Sequence, residues 1–385
     1  MEGAPTVQRP DSRRPDGILL VSNMYPSAGN PVFGSFVARQ EAAFRSLGVR
    51  VRLVANRDWR PGAVAAVSKY PSMLVRTLWA ARKRDFSVVV GHFIYPTAII
   101  AGLAARVSGR PLVLVVHGTD IKSARDSGLL ARKTRDAVAR ACLVIAVSEN
   151  LAGQVRDLGT NVPVAVCHMG VDTRLFRPVP GSREKLGLDP DERIAIYVGN
   201  LIPRKNVALL IEAFSRVLAT PGVCDRVVVI GNGPLRADLH DQVTTLGLAD
   251  KVTFVDQLPH EELPAWMSAA DLFVLPSLYE GLGLVLLEAL ACGTPTAGPR
   301  VGGVPDIVDD TVGALYARGD TESLAEAMRL VLAGGKARYS EACVQRGADN
   351  DLVVMADRFL SEIMEAGCSL PDGRRIEDER DPVRS

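Results

Sequence analysis

Short apolar runs alternate with helix-forming stretches along nearly the whole chain, and this rhythm constrains the fold more than any other feature. In the first half the runs are ILLVSNMY (18–25), VRVRLVA (49–55), FSVVVGHF (86–93), PLVLVVHG (111–118) and CLVIAVS (142–148). Each ends near Gly, Ser, Asn or His, and most lead into a helix; the first helix is expected over roughly Phe36 to Leu47. Strands buried on both faces need near-continuous apolar runs, so the pattern predicts parallel sheets covered by helices. A second series, RIAIYVGN, RVVVIGNG, KVTFVDQ, DLFVLPS and TPTAGP, follows the stretch RPVPGSREKLGLDPDE (177–192). That Pro-, Gly- and charge-rich stretch reads as a linker between two doubly wound α/β domains, 17–176 and 193–350. A late amphipathic helix is expected over 351–367, and disorder over 1–16 and 368–385.

Composition agrees and removes other classes. Of 385 residues, 47% are hydrophobic and 23% charged, which excludes a disordered, collagen-like or coiled-coil chain. The net charge of +1 hides a split at the linker. Residues 1–178 hold 25 Lys and Arg against 12 Asp and Glu, net +13; the rest hold 20 against 32, net −12. Opposite signs predict two domains with different partners, and nothing else supports nucleic acid as one of them. Six scattered cysteines form no CxxC and no Cys/His cluster, so the expectation is a reducing compartment, with no disulfide framework and no zinc site. The polar, Pro-rich start lacks the apolar core of a signal peptide. The most apolar long stretch, 87–107, carries His92, Pro96 and two glycines, which argues for strand, loop and buried helix over a membrane span. The expectation is a cytoplasmic protein.

The strongest motif is PSLYEGLGLVLLEALACGTP (276–295). Glu280 lies in a Gly-rich loop where Gly281 and Gly283 allow close backbone approach. The helix that follows, from Leu284 to about Cys292, is apolar except for Glu288. A lone carboxylate there needs a polar partner: a backbone amide or Arg, or a vicinal diol such as ribose. The loop GNLIPRKN (199–206) joins a strand to a helix and sets Arg204 and Lys205 beside free helix N–H groups, a place that favours an anion. GNGP (231–234) opens another helix, but as a dinucleotide fingerprint it is broken, because position 236 is Arg. His117, in HGTD, and His92 each end a strand; such histidines are structural or ligand-facing. Asp189 and Asp191 have metal-motif spacing but lie in the linker, so no metal site is expected.

EGLGLVLLE resembles the E-x7-E signature of the retaining glycosyltransferases of family 4, which have the GT-B fold of two Rossmann-like domains facing a central cleft. The resemblance covers about residues 20–350 and includes YPSAGNPVFGSFVARQ (25–40), HGTD (117–120), AVSENL (146–151), MGVD (169–172), GNLIPRKN, GNGP and GGVPDIV (302–308). It implies transfer of a hexosyl unit from a UDP- or GDP-type nucleotide sugar, without metal or other cofactor, to a hydroxyl acceptor. That acceptor would be a cell-envelope saccharide or lipid-linked sugar, or alternatively a soluble natural product such as an antibiotic aminocyclitol. By the resemblance Glu280, Lys205 and His117 are catalytic. Glu288, Arg204, Asn200, Gly231, Gly233, Gly281, Gly283 and Leu284 bind the donor, and Gly34, Asn30 and His92 lie on the acceptor side or in a phosphate loop. Asn200 stands where the family has Arg, and Asp256 where it often has Gly.

Rival readings are a nucleotide-sugar 2-epimerase or a phosphorylase of the same fold, a dehydrogenase and a non-catalytic binding module. No pyridoxal-phosphate lysine motif supports the phosphorylase, the broken glycine fingerprint disfavours the dehydrogenase, and a binding module has no need of Glu280, Glu288 and Lys205 together. Two basic clusters, Arg76, Arg82, Lys83 and Arg84 around Trp79 and Arg132, Lys133, Arg135 and Arg140, read as solvated helix faces or as a contact for anionic membrane at its inner face.

Overall fold

The computed structural model describes residues 14–58, 63–83, 85–118, 121 and 128–369. The expectations for 1–13, Arg84, Thr119, Asp120 and 370–385 lie outside the described residues. The chain divides into two compact units: residues 1–169 with 352–385, and residues 170–351.

Unit 1 holds a six-stranded parallel sheet of β1 (Gly17–Ser22), β2 (Arg50–Ala55), β3 (Val88–His92), β4 (Leu112–Val116), β5 (Leu143–Ala146) and β6 (Val164–Val166), in the order β2-β1-β3-β4-β5-β6. Unit 2 holds β7 (Ile194–Val198), β8 (Arg226–Ile230), β9 (Val252–Val255), β10 (Leu272–Val274), β11 (Thr296–Pro299) and β12 (Gly313–Tyr316), in the order β12-β11-β10-β7-β8-β9. β1, β3, β4, β5 and β10 are buried along their whole length, as the unbroken apolar runs require. In each unit the strand order reverses at one point, between β1 and β3 and between β7 and β10. Loops leaving the carboxyl ends of two such strands diverge and open a crevice.

The stretch 177–192 is not a loose linker: it folds into unit 2, with a short helix, Ser182–Lys185. The reason is Arg183, which pairs with Asp271 at 2.6 Å and donates to the carbonyls of Ala269, Pro190 and Glu192. The change of unit comes earlier, between Met169 and Gly170. The late helix forms at Leu352–Glu365 and belongs to unit 1, where Phe359 packs against Phe44 with ring centroids 5.3 Å apart. Arg14, in the stretch expected to be disordered, pairs with Asp357 of that helix at 2.7 Å and donates to the Leu47 carbonyl at 3.0 Å.

One expectation about the cysteines is overturned. Cys142 and Cys368 form a disulfide, with Cα atoms 5.9 Å apart. The return of the last helix to unit 1 brings Cys368 to the start of β5, a proximity that a separation of 226 residues hides in the sequence. Cys167, Cys224, Cys292 and Cys343 are free and buried, and burial pushes all four thiols up to about 12.

Candidate active site

In unit 2 the two loops at the strand-order reversal carry the carboxylate and the lysine singled out in the sequence. After β7 the chain runs through Asn200 into a 3₁₀ turn, Pro203–Lys205, and then into the helix Val207–Val217. After β10 it runs through Glu280 into the helix Leu284–Ala291, with Gly283 at its N-cap in the left-handed region, φ 91°. The Leu278 N–H donates to the Arg204 carbonyl at 2.9 Å, which ties one loop to the other. Lys205 Nζ meets Glu280 Oε1 at 2.5 Å; Glu280 is buried and the Lys205 side chain nearly so. The arrangement joins a shielded cation to two helix N-termini, a setting that favours anionic oxygen. Arg204, by contrast, is exposed.

Close backbone contacts hold these loops in place. The carbonyl of Leu201 accepts from the Leu235 N–H, and the Leu201 N–H donates to the Asn232 carbonyl at 2.9 Å. A Cβ at Gly231 would lie 2.0 Å from the Gly199 carbonyl oxygen, and one at Gly233 2.4 Å from that of Leu201. Only glycine permits that approach, so GNGP is a packing device between adjacent strand ends, whatever ligand it meets. On the other side the Gly303 N–H donates to the Gly281 carbonyl at 3.0 Å. Asn200 is exposed, but its carbonyl accepts from the Tyr197 hydroxyl at 3.0 Å. Burial raises the Tyr197 hydroxyl far above its usual range, and the Glu280 charge adds to that.

Glu288 is buried, as the apolar helix predicts. His260 Nε2 lies 3.2 Å from Glu288 Oε1, and the His260 ring sits edge-on to Phe176 at 4.8 Å. Sequence reasoning misses His260, because a lone His in a polar loop, PHEEL, carries no local signal. The same loop begins at Asp256, which pairs with Arg236 at 3.1 Å. Arg236 also donates to the Gly231 carbonyl, so the residue that breaks the glycine fingerprint braces the loop it follows. The Asp189 carboxylate turns back onto its own loop and accepts from the Asp191 N–H at 2.9 Å.

In unit 1 the reversal point carries the loop after β1. Asn30 and Ser27 exchange backbone hydrogen bonds at 3.1 and 3.2 Å. Gly34 has φ 71°, and a Cβ there would strike the Met24 backbone at 2.6 Å. His92 ends β3 and His117 follows β4; Nδ1 of His92 and Nε2 of His117 are 2.9 Å apart. Burial pushes His92 down to about 3, and pushes His117 well below the usual histidine range, with a further contribution from His92.

Comparison with known proteins follows the same division. The description "Glycosyltransferase Family 4" matches residues 34–175, and "Glycosyl transferases group 1" matches residues 179–348. The GDP-mannose-dependent alpha-(1-6)-phosphatidylinositol monomannoside mannosyltransferase of Mycolicibacterium smegmatis is 30% identical over 281 residues, which cover 68% of this chain and 72% of that protein. The N-acetyl-alpha-D-glucosaminyl L-malate synthase of Bacillus anthracis is 30% identical over 253 residues, covering 64% of this chain and 65% of that one. The chain thus spans just under two thirds of the latter relative. The crystal structure of Anabaena Alr3699/HepE in complex with UDP superposes with a TM-score of 0.71 at 20% identity, covering 91% of this chain and 100% of that one, a likeness of fold. Two doubly wound units, each matched by its own family description, together with a relative aligned over most of its length, place the chain in glycosyltransferase family 4 with the GT-B fold.

Proposed function

We propose that this protein is a retaining glycosyltransferase that moves a hexosyl unit from a nucleoside diphosphate sugar to a hydroxyl acceptor. The observation that carries the reading is the shielded Lys205–Glu280 pair where the strand order of unit 2 reverses. In this reading the donor diphosphate lies over the helix N-termini at 207 and 284. Lys205, helped by Arg204 and Asn200, offsets the charge that develops on the diphosphate as the bond from the sugar C1 to the phosphate oxygen breaks. Glu280 accepts from sugar hydroxyls. Glu288, on its apolar helix, accepts from the ribose diol. Gly231, Gly233, Gly281, Gly283 and Leu284 supply the close backbone approach, and Asn30 and Gly34 shape the loop on the acceptor side. His117 meets the sugar, and substitution occurs on the face the diphosphate leaves. One relative above is a mannosyltransferase by name and the other a synthase, and neither is an epimerase, which favours transfer over epimerisation; incubating the donor alone, without acceptor, tests that choice.

The ribose assignment makes a prediction. A dTDP sugar lacks the 2′-hydroxyl and forfeits one hydrogen bond to a charged group, about 1.5–3 kcal/mol. UDP or GDP is therefore expected to raise the melting temperature more than dTDP at equal concentration. Stronger protection by dTDP removes ribose from Glu288.

The two relatives point to different acceptors, one a phosphatidylinositol monomannoside and the other malate. A surface feature favours the first kind, an envelope or lipid-linked acceptor met at an anionic membrane. On the helix Ala63–Ala81, Val75 and Trp79 are exposed one turn apart, and Lys83 lies over the Trp79 ring at 5.0 Å. On the helix Thr97–Ser108, Leu103 and Val107 are exposed one turn apart, beside the exposed Arg106. Basic residues near anionic lipid contribute about 1 kcal/mol each. The protein is expected to sediment with anionic but not neutral vesicles, less so as salt rises, and less so after Lys83→Glu with Arg84→Glu. Absence of binding at low salt leaves a soluble acceptor.

A further inference from the structure

The contact between His92 and His117 has a chemical consequence. β3 and β4 are in register with His92 opposite Val115, and His117 lies two residues beyond Val115. The two rings therefore leave neighbouring parallel strands at the same edge, with their planes 18° apart. Two aromatic rings fix the His117 plane: Phe36 at 5.0 Å and Phe93 at 4.6 Å between centroids. Phe93 reaches that position from the left-handed region, φ 70°, which a bulky residue adopts only under constraint. Its N–H donates to the Val115 carbonyl at 2.9 Å, which anchors the turn.

With both rings neutral, each carries one proton, and the 2.9 Å contact needs that proton on one of the two facing nitrogens. If His117 Nε2 carries it, the His92 proton sits on Nε2. That atom is buried and has no hydrogen-bond partner among the described residues, so an N–H would be stranded there. If His92 Nδ1 carries it, the stranded atom is a bare nitrogen. Buried N–H groups without an acceptor are rarer in proteins than acceptors left under-used. We infer that His92 is a positioning residue: its Nδ1–H donates to His117 Nε2 and fixes His117 with its own proton on Nδ1. His117 Nε2 is then held as the acceptor of that hydrogen bond and is closed to service as a base. This deepens the proposed role of His117 at the sugar and rests on that role for its kinetic consequence; the tautomer itself does not depend on it.

The test uses the full chain labelled with ¹⁵N-histidine. Two-bond correlations between ring nitrogens and carbon-bound protons separate protonated from bare nitrogen, and His117→Gln assigns the signal. The expected result is His117 bare at Nε2 and protonated at Nδ1. Protonation of His117 at Nε2 overturns the inference. In turnover, His92→Phe fills similar space without a donor, and is expected to lower kcat about tenfold, the worth of one good neutral hydrogen bond, with donor KM little changed. His92→Asn places an amide N–H near the Nδ1 position and is expected to recover most of the loss. Unchanged kcat in His92→Phe, in an enzyme where His117→Gln is impaired, overturns the positioning role. Unchanged kcat in both overturns the role of His117 itself. The spectrum is read on the wild-type chain, so it stands even if a variant fails to fold.

Discussion

Lys205→Ala is expected to lower kcat/KM by about 10²-fold or more, because one charge aimed at the leaving diphosphate is typically worth a few kcal/mol in the transition state. The measurement needs a control for folding. Lys205 Nζ lies 2.5 Å from Glu280 Oε1, and both side chains are largely shielded from water. Removing the cation leaves a buried carboxylate without its counter-charge, and breaking such a pair from one side costs up to about 3–5 kcal/mol. Lys205→Ala is therefore expected to melt lower as well as turn over more slowly. The double variant Lys205→Ala with Glu280→Gln separates the two effects. It removes the stranded charge, so the melting temperature is expected to recover while turnover does not. Recovery of both would mean that Lys205 serves only to neutralise Glu280, and the leaving-group assignment would fall. The same assignment, a protein cation at the diphosphate, predicts turnover retained in EDTA.

The pair also explains how the site can be ordered in advance of its substrate. A lysine alone on a loop has several rotamers to lose on binding a diphosphate. Here the Glu280 carboxylate holds the ammonium in one place, and the 3₁₀ turn at Pro203–Lys205 fixes the backbone beneath it. Electrostatic stabilisation is most effective when the charges need not reorganise during the reaction.

Much of this is legible in the sequence because burial on both faces leaves an unmistakable apolar run. Ten of the strands and the helix around Glu288 follow from such runs. β6 and β12 do not: each lies at a sheet edge and carries residues that are only half buried. The stretch 177–192 has the composition of a linker, but composition does not show that Arg183 will reach Asp271, 88 residues later. For the same reason neither the Cys142–Cys368 bond nor the meeting of His260 with Glu288 can be read locally. Glu280, Glu288 and Lys205 are legible because each breaks its local pattern: a carboxylate among glycines, a carboxylate on an apolar helix, a cation at a helix start. His260 breaks none, and only the fold brings it to a carboxylate.

Gly302→Ala is the second change expected to have a large effect, and it acts through the backbone of the site without touching its charges. Gly302 has φ +53°, and a Cβ there would lie 1.8 Å from the Glu280 carbonyl oxygen and 2.8 Å from its carbon. No rotamer change relieves a clash with backbone, so the loop from Glu280 to Gly283 must move, and the Gly303 to Gly281 hydrogen bond must lengthen or break. A displacement of about 1 Å at a reacting centre can lower turnover about 10²-fold. Part of any stability loss comes simply from placing alanine in a left-handed conformation, about 1–2 kcal/mol. Gly247→Ala supplies that part alone: Gly247 has φ +68° and open space where its Cβ would go. The expected outcome is that Gly247→Ala melts slightly lower with full turnover, whereas Gly302→Ala loses turnover far beyond its loss of stability. Equal, small effects in the two variants would show that the loop at 302 does not hold Glu280 in place, and that the carboxylate is positioned by Lys205 alone.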